Sequence, residues 1–180
     1  MSKRLRLGAE VMAVALVLAL LALLIWRVVH GSSNAIAQTL AKNEHPSAAA
    51  FDLPRLDGKG NIDLASYIGR KPFVLDFWAS WCGPCVRESK RLQRAHERYG
   101  DRVTFIGVDT KDFTSDARKW LRRNGITYPS VHDKNGSALQ RWQGGVALPS
   151  IFFVDRHGTV VGQMSAEEDL PRLLRRIAEA

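Results

Sequence analysis

The run Asp76-Phe77-Trp78-Ala79-Ser80-Trp81-Cys82-Gly83-Pro84-Cys85 decides the fold. Leading into it, Pro72 to Ala79 is almost continuously apolar, the pattern of a central strand covered on both faces. Beyond it the periodicity predicts a helix from about Cys82 to Tyr99. Val86, Leu92, Ala95 and Tyr99 line one side of that helix, and Arg87, Arg91, Arg94 and Arg98 form a solvated row on another. A Cys-x-x-Cys pair where a strand ends and a helix begins has a defined chemistry, because free amides and the positive end of the helix dipole stabilise a thiolate. Cys82 is then the nucleophile, and Cys85, one turn in, is shielded yet near enough to attack a mixed disulfide. Other uses of the pair fit less well. A purely structural bridge would close a loop of trivial length. Zinc would need two further ligands, and the five histidines show no paired spacing with the cysteines; haem attachment would need His where Val86 stands. A chaperone holding copper(I) between the two thiolates stays open as a reading of another class.

Working outward, Phe51 to Leu56 and Ile62 to Leu64 flank Asp57-Gly58-Lys59-Gly60 and predict a small leading hairpin. Val103 to Val108 reads as a second buried strand. Ser115 to Asn124 reads as a helix with Ala117, Trp120 and Leu121 inward and Gly125 as its stop. Leu148-Pro149 leads into a strand from Ser150 to Asp155, and Arg156-His157-Gly158 turns into another from Thr159 to Gln163. A final helix runs from about Glu167 to Glu179, with Pro171 in its first turn. Alternating strands and helices with a closing hairpin specify an α/β fold, a central mixed sheet flanked by helices.

With 180 residues the chain holds one ordinary domain and an appendage. The 26 Lys and Arg against 18 Asp and Glu invite a nucleic-acid reading, but after residue 30 the excess is only +5 and has no dense cluster, so nucleic acid is not an expected partner. At the N-terminus Lys3, Arg4 and Arg6 precede an unbroken apolar run from Val11 to Trp26, extended around Arg27 by Val28 and Val29. That is close to the minimum of about 17 residues for a spanning helix, with the N-terminus cytoplasmic by its charge. Residues 1–30 are therefore expected to be a transmembrane anchor, with a signal peptide cleaved after Ala37 as the alternative, since Ala35-Ile36-Ala37 has the small-x-small pattern. Residues 31–49 are small and polar and read as a flexible tether, and 50–180 as the globular domain outside the cytoplasmic membrane.

The segment Asp76 to Cys85 resembles the active-site segment of thioredoxin. The leading hairpin, Glu88 three residues past Cys85, and the N-terminal anchor are similar to the TlpA/ResA/CcmG branch of membrane-tethered thioredoxin-like proteins. The resemblance covers residues 50–180 and implies a thioredoxin-like fold with an N-terminal hairpin extension. It implies a cis proline facing the cysteines, for which Pro149 stands at the matching place, and a substrate groove around Trp81, Gly83, Pro84 and Leu148. Pro149 as a plain strand-entry residue is the alternative. The branch more often has an uncharged residue where this chain has Asp76. A desolvated carboxylate there would have a raised pKa and could take the proton of Cys85. Glu88 is a second candidate for that work, or else a solvated first-turn acid complementing the helix dipole. The approach to Pro149, Gly144-Gly145-Val146-Ala147-Leu148, is one residue shorter than the family pattern, which leaves substrate preference open. The resemblance further implies a monomeric disulfide reductase acting on exported proteins, apocytochrome c among them. It would be recharged by a transmembrane electron donor, with no cofactor beyond the Cys82–Cys85 disulfide. An exported thiol oxidase is the runner-up. A peroxidase is the third reading, against which the peroxidatic Pro-x-x-x-Thr/Ser-x-x-Cys pattern is absent.

Overall fold

The computed structural model describes residues 3–30, 36–42, 44–143, 147–164 and 170–179. It divides into two compact units, Met1–Ser33 and Asn34–Ala180. The first holds one helix, α1 (Lys3–His30), whose apolar side chains from Met12 to Trp26 are exposed. Among the described residues no helix is long and apolar enough to cross a membrane.

The second unit opens with a short helix, α2 (Ile36–Leu40), then β1 (Asp52–Pro54) and β2 (Asn61–Asp63), paired antiparallel as the expected hairpin. There follow β3 (Phe73–Trp78), α3 (Cys85–Tyr99), β4 (Thr104–Thr110), α4 (Thr114–Asn124), β5 (Ser130–Asp133), α5 (Ser137–Gln143), β6 (Ser150–Val154), β7 (Val160–Met164) and α6 (Leu170–Glu179). Five strands form one sheet in the order β5-β4-β3-β6-β7. The first three are parallel, β6 runs antiparallel to β3, and β7, antiparallel to β6, returns to the direction of the first three. This is the thioredoxin-like mixed sheet with helices on both faces.

Because successive side chains of a strand point to opposite faces, β3 feeds two cores. Val74 and Trp78 face a cluster with Leu92 of α3, Trp120 of α4 and Leu174 of α6. Phe73, Leu75 and Phe77 face a second cluster with Leu64, Trp142 of α5 and Ile36 of α2. On the first side the Trp78 and Trp120 rings stack at 4.3 Å; on the second, Trp142 packs at 5.1 Å from Phe152. The near-continuous apolar run of β3 reflects burial on both faces.

Two expectations are corrected. The stretch 31–49 is not a structureless tether in its described part. Ile36, Ala37 and Leu40 make an apolar face at helical spacing that packs in the second core, Ala48 N–H donates to Gly158 O, and the Trp142 indole donates to Ala49 O at 2.9 Å. Helix α3 begins at Cys85, not Cys82, because Cys82, Gly83 and Pro84 form a turn in which Cys85 N–H bonds to Cys82 O. In addition, β5 and α5 fill the stretch between Gly125 and Leu148, where the sequence pattern predicts no element. The expected start of the last helix at Glu167, and the segment Gly144-Gly145-Val146, lie outside the described residues.

Candidate active site

The carboxyl end of β3 delivers the chain into Ala79, Ser80 and Trp81 and then to the Cys82–Cys85 disulfide, the only pair of cysteines. Cys82 is 5% exposed and Cys85 fully buried, so a partner reaches the pair from the Cys82 side. Trp81, Gly83 and Pro84 are exposed around it. Ser150 pairs with Phe77 across β6, so the residues just before it lie beside the chain leaving β3. The Leu148–Pro149 bond is cis, and both residues are half-buried there, as the resemblance implied.

Asp76 lies on the face of β3 that carries Val74 and Trp78, toward α3, and is buried. Its Oδ2 accepts hydrogen bonds from the Tyr128 hydroxyl at 2.7 Å and the Ser89 hydroxyl at 3.0 Å, while Oδ1 has no partner. Ser89 stands one helical turn after Cys85, and residues four apart on a helix are neighbours on one face. The carboxyl is thereby tied one turn behind the buried thiol. Burial raises its pKa to about 6; the two hydroxyl donors work against that rise, and nearby Glu88 adds to it.

Glu88 is also buried, not the solvated first-turn acid of the alternative reading. The Arg91 guanidinium meets it at 2.9 Å and Arg87 at 3.9 Å. Arg91 thus leaves the solvated row and becomes a half-buried partner.

Sequence reasoning missed the donors Tyr128 and Ser89, and also a second constellation on the opposite flank. Trp78 pairs with Asp109 across β4, and three residues on, Asp112 reaches back to the segment before Cys82. Its carboxylate accepts from Ser80 N–H at 2.5 Å, Ser80 Oγ at 3.0 Å and Phe113 N–H at 2.7 Å. The Trp81 indole donates to Lys111 O at 3.2 Å. Behind this clamp Asp109 is buried 2.6 Å from His132 Nδ1. Burial first, then the charge and hydrogen bond of Asp112, raise the Asp109 pKa to about 8, and burial lowers that of His132. Burial on both sides thus works against the ion pair at this contact and toward the neutral hydrogen bond. Among the described residues no cluster of three or more His, Cys, Asp or Glu is placed to hold a metal ion.

The AhpC/TSA family matches residues 46–163, which include the hairpin, the cysteine turn and the cis proline. The chain belongs to that family. Its relatives fall in the thioredoxin-like branch expected from Asp76 to Cys85. A protein called thiol:disulfide interchange protein DsbE, from Xylella fastidiosa, is 34% identical over 149 residues, covering 80% of this chain and 71% of its own length. A thiol-disulfide oxidoreductase ResA from Geobacillus thermodenitrificans is 30% identical over 173 residues, 93% of this chain and 94% of that one. The structure of a DsbF homologue from Corynebacterium diphtheriae superposes with a TM-score of 0.66 at 28% identity, over 77% of this chain and 89% of the other. A secreted Mycobacterium tuberculosis disulfide oxidoreductase homologous to DsbE gives 0.61 at 26% identity, over 72% and 96%. With the cysteine pair in its turn, this AhpC/TSA protein is a thiol-disulfide oxidoreductase.

Proposed function

We propose that the chain is a disulfide reductase tethered outside the cytoplasmic membrane, reducing exported proteins through Cys82 and Cys85. The observation that carries the direction is the pair of buried carboxylates, Asp76 and Glu88, beside the cysteine turn. A dithiol is a strong oxidant when its thiolate is strongly stabilised. Negative charge within a turn of the pair works against the thiolate, although Arg87 and Arg91 offset part of the Glu88 charge.

The Cys82 thiolate attacks a substrate disulfide, forming a mixed disulfide and releasing one substrate thiolate. The Cys85 thiol gives its proton to the Asp76 carboxylate and attacks Cys82 Sγ. The Cys82–Cys85 disulfide forms and the second substrate sulfur leaves as a thiolate, with two electrons passed to the substrate. Asp76, with a pKa of about 6, is mostly ionised at neutral pH and close enough to neutrality to return the proton on re-reduction. Trp81, Gly83, Pro84, Leu148 and Pro149 frame the turn that an extended substrate chain would cross.

Tethering rests on the apolar run Val11–Trp26 behind Lys3, Arg4 and Arg6, and on the secreted character of one solved relative. A transmembrane protein supplies electrons, and apocytochrome c with its paired cysteines is the substrate class the resemblance implies. Recovery of a soluble protein beginning near Gln38 would contradict the anchor. The reduction potential decides the direction. Equilibration of the protein with thiol-disulfide buffers is expected to give about −250 mV or lower, as in thioredoxin, whereas a value near about −120 mV makes it an oxidase.

A further inference from the structure

The loop that clamps the redox turn also carries the most exposed ring of the catalytic unit. Among the described residues after Ser33 only three large apolar side chains are exposed: Ile68, Trp81 at 56% and Phe113 at 76%. Two of these three belong to segments joined to each other. Ser80 N–H and Oγ are held by Asp112, the Trp81 indole by Lys111 O, and Phe113 N–H by the same Asp112 carboxylate. Phe113 thus follows directly on the residue that fixes the approach to Cys82. The stem of Lys111 lies against Gly136, toward the turn between β5 and α5.

Phe113 is also the wrong residue for its backbone position. It occupies the N-cap of α4 with extended dihedrals, φ −89° and ψ 130°. Serine, threonine, aspartate or asparagine there would accept a hydrogen bond from the first turn, and phenylalanine offers no acceptor. One residue therefore breaks two local rules at once, exposing a large ring and leaving a helix start uncapped, next to the site of chemistry. Such conflicts gather at functional positions.

We infer that Phe113 and Trp81 form an aromatic edge beside Cys82 that selects polypeptide disulfides whose cysteine is flanked by an aliphatic or aromatic side chain. The occupant is the substrate polypeptide itself, because the edge is continuous with the one cysteine that is not fully buried. Three hydrogen bonds hold the two segments together in advance, so little ordering is needed on binding. Phe113 is a specificity-determining residue in this scheme, and the inference rests on the disulfide-exchange reading above.

The test uses the full chain, reduced, and two disulfide peptides that differ only in whether Phe or Gly adjoins the cysteine. The wild type is expected to favour the Phe peptide about tenfold in kcat/KM, within the range hydrophobic contacts provide. Phe113→Ser should bring that ratio below about threefold, and Phe113→Trp should keep it. The Tm of Phe113→Ser should equal or exceed that of the wild type, since serine caps the helix. That separates lost selection from lost fold. A wild-type ratio near one, or a tenfold ratio retained in Phe113→Ser, overturns the inference while leaving disulfide exchange intact. No reaction with either peptide overturns both.

Discussion

Replacing Asp76 with asparagine removes a buried carboxylate while keeping its shape and the acceptor for Tyr128 and Ser89. Burial holds that carboxyl at about 6 against an ordinary 3.8, a gap that corresponds to about 3 kcal/mol. Below pH 4 the group is protonated in both the folded and the unfolded chain and contributes nothing to pH dependence. Between pH 4 and 6 the folded protein keeps a proton that the unfolded chain has lost, so wild-type stability falls as pH rises. Above about pH 6 the full penalty is in place. The new amide puts an N–H₂ where Oδ1 has no partner, an effect that does not vary with pH. Urea unfolding of the oxidised proteins from pH 4 to 8 should therefore show Asp76→Asn gaining on the wild type by about 3 kcal/mol between pH 4 and 6, then holding level. The same variant should slow the attack of Cys85 on a mixed disulfide by roughly ten- to a hundredfold, measured by quenched-flow trapping. Parallel stability curves, or an unchanged rate of that attack, would refute the placement of Asp76 as the buried proton acceptor.

Tyr128→Phe removes a hydroxyl donor that opposes the rise at Asp76, so the stability break just described should move above pH 6 in urea titrations. Asp112→Ala leaves Ser80 N–H, Ser80 Oγ and Phe113 N–H without their acceptor. It should lower stability by about 1–3 kcal/mol in urea and slow disulfide exchange, and with its charge gone the pKa of Asp109 should fall from about 8. At Gly107 an added Cβ would meet Ser130 Oγ and lie 2.9 Å from Trp78 Nε1, so Gly107→Ala should destabilise by about 1–3 kcal/mol, read from the urea midpoint. Ile36→Ala should cost about 2–4 kcal/mol if α2 is docked in the core, and nothing if residues 31–49 were a free tether.

The parts of this site that could be read from sequence are those whose signals are local. The cysteine spacing, the buried run into Asp76, and a proline at a strand entry each sit within a few residues of the feature they mark. Tyr128 and Asp112 act on partners 52 and 32 residues away, and nothing in Ile126-Thr127-Tyr128 or Lys111-Asp112 names those partners. Strand β5 has four residues and α5 seven, too short for a period to declare itself. Helix α2 escaped notice because its apolar face is only Ile36, Ala37 and Leu40 in a small, polar stretch. What orders it is the surface formed by α5 and β7, which no local pattern contains.

Register explains why distant residues meet at one end of the sheet. Trp78 pairs with Asp109 on one side and Phe77 with Ser150 on the other, so the chain leaving β3 toward Cys82 passes between the start of the clamp and the end of the proline loop. The alternation of β3 adds the third dimension. Asp76 shares a face with Trp78 and points to α3, where Ser89 supplies a hydroxyl one turn behind Cys85 and Tyr128, just before β5, supplies the other. A shift of β3 by one residue would turn the carboxyl into the opposite core of Phe77, Trp142 and Phe152, among apolar rings instead of those two hydroxyls. The unpaired carboxylate would then bear its desolvation in full, and the proton acceptor would lie on the wrong side of the sheet from the thiol. Pairing register is thus under the same constraint as the chemistry: the alignment that buries the apolar faces of β3 is the one that sets Asp76 behind Cys85.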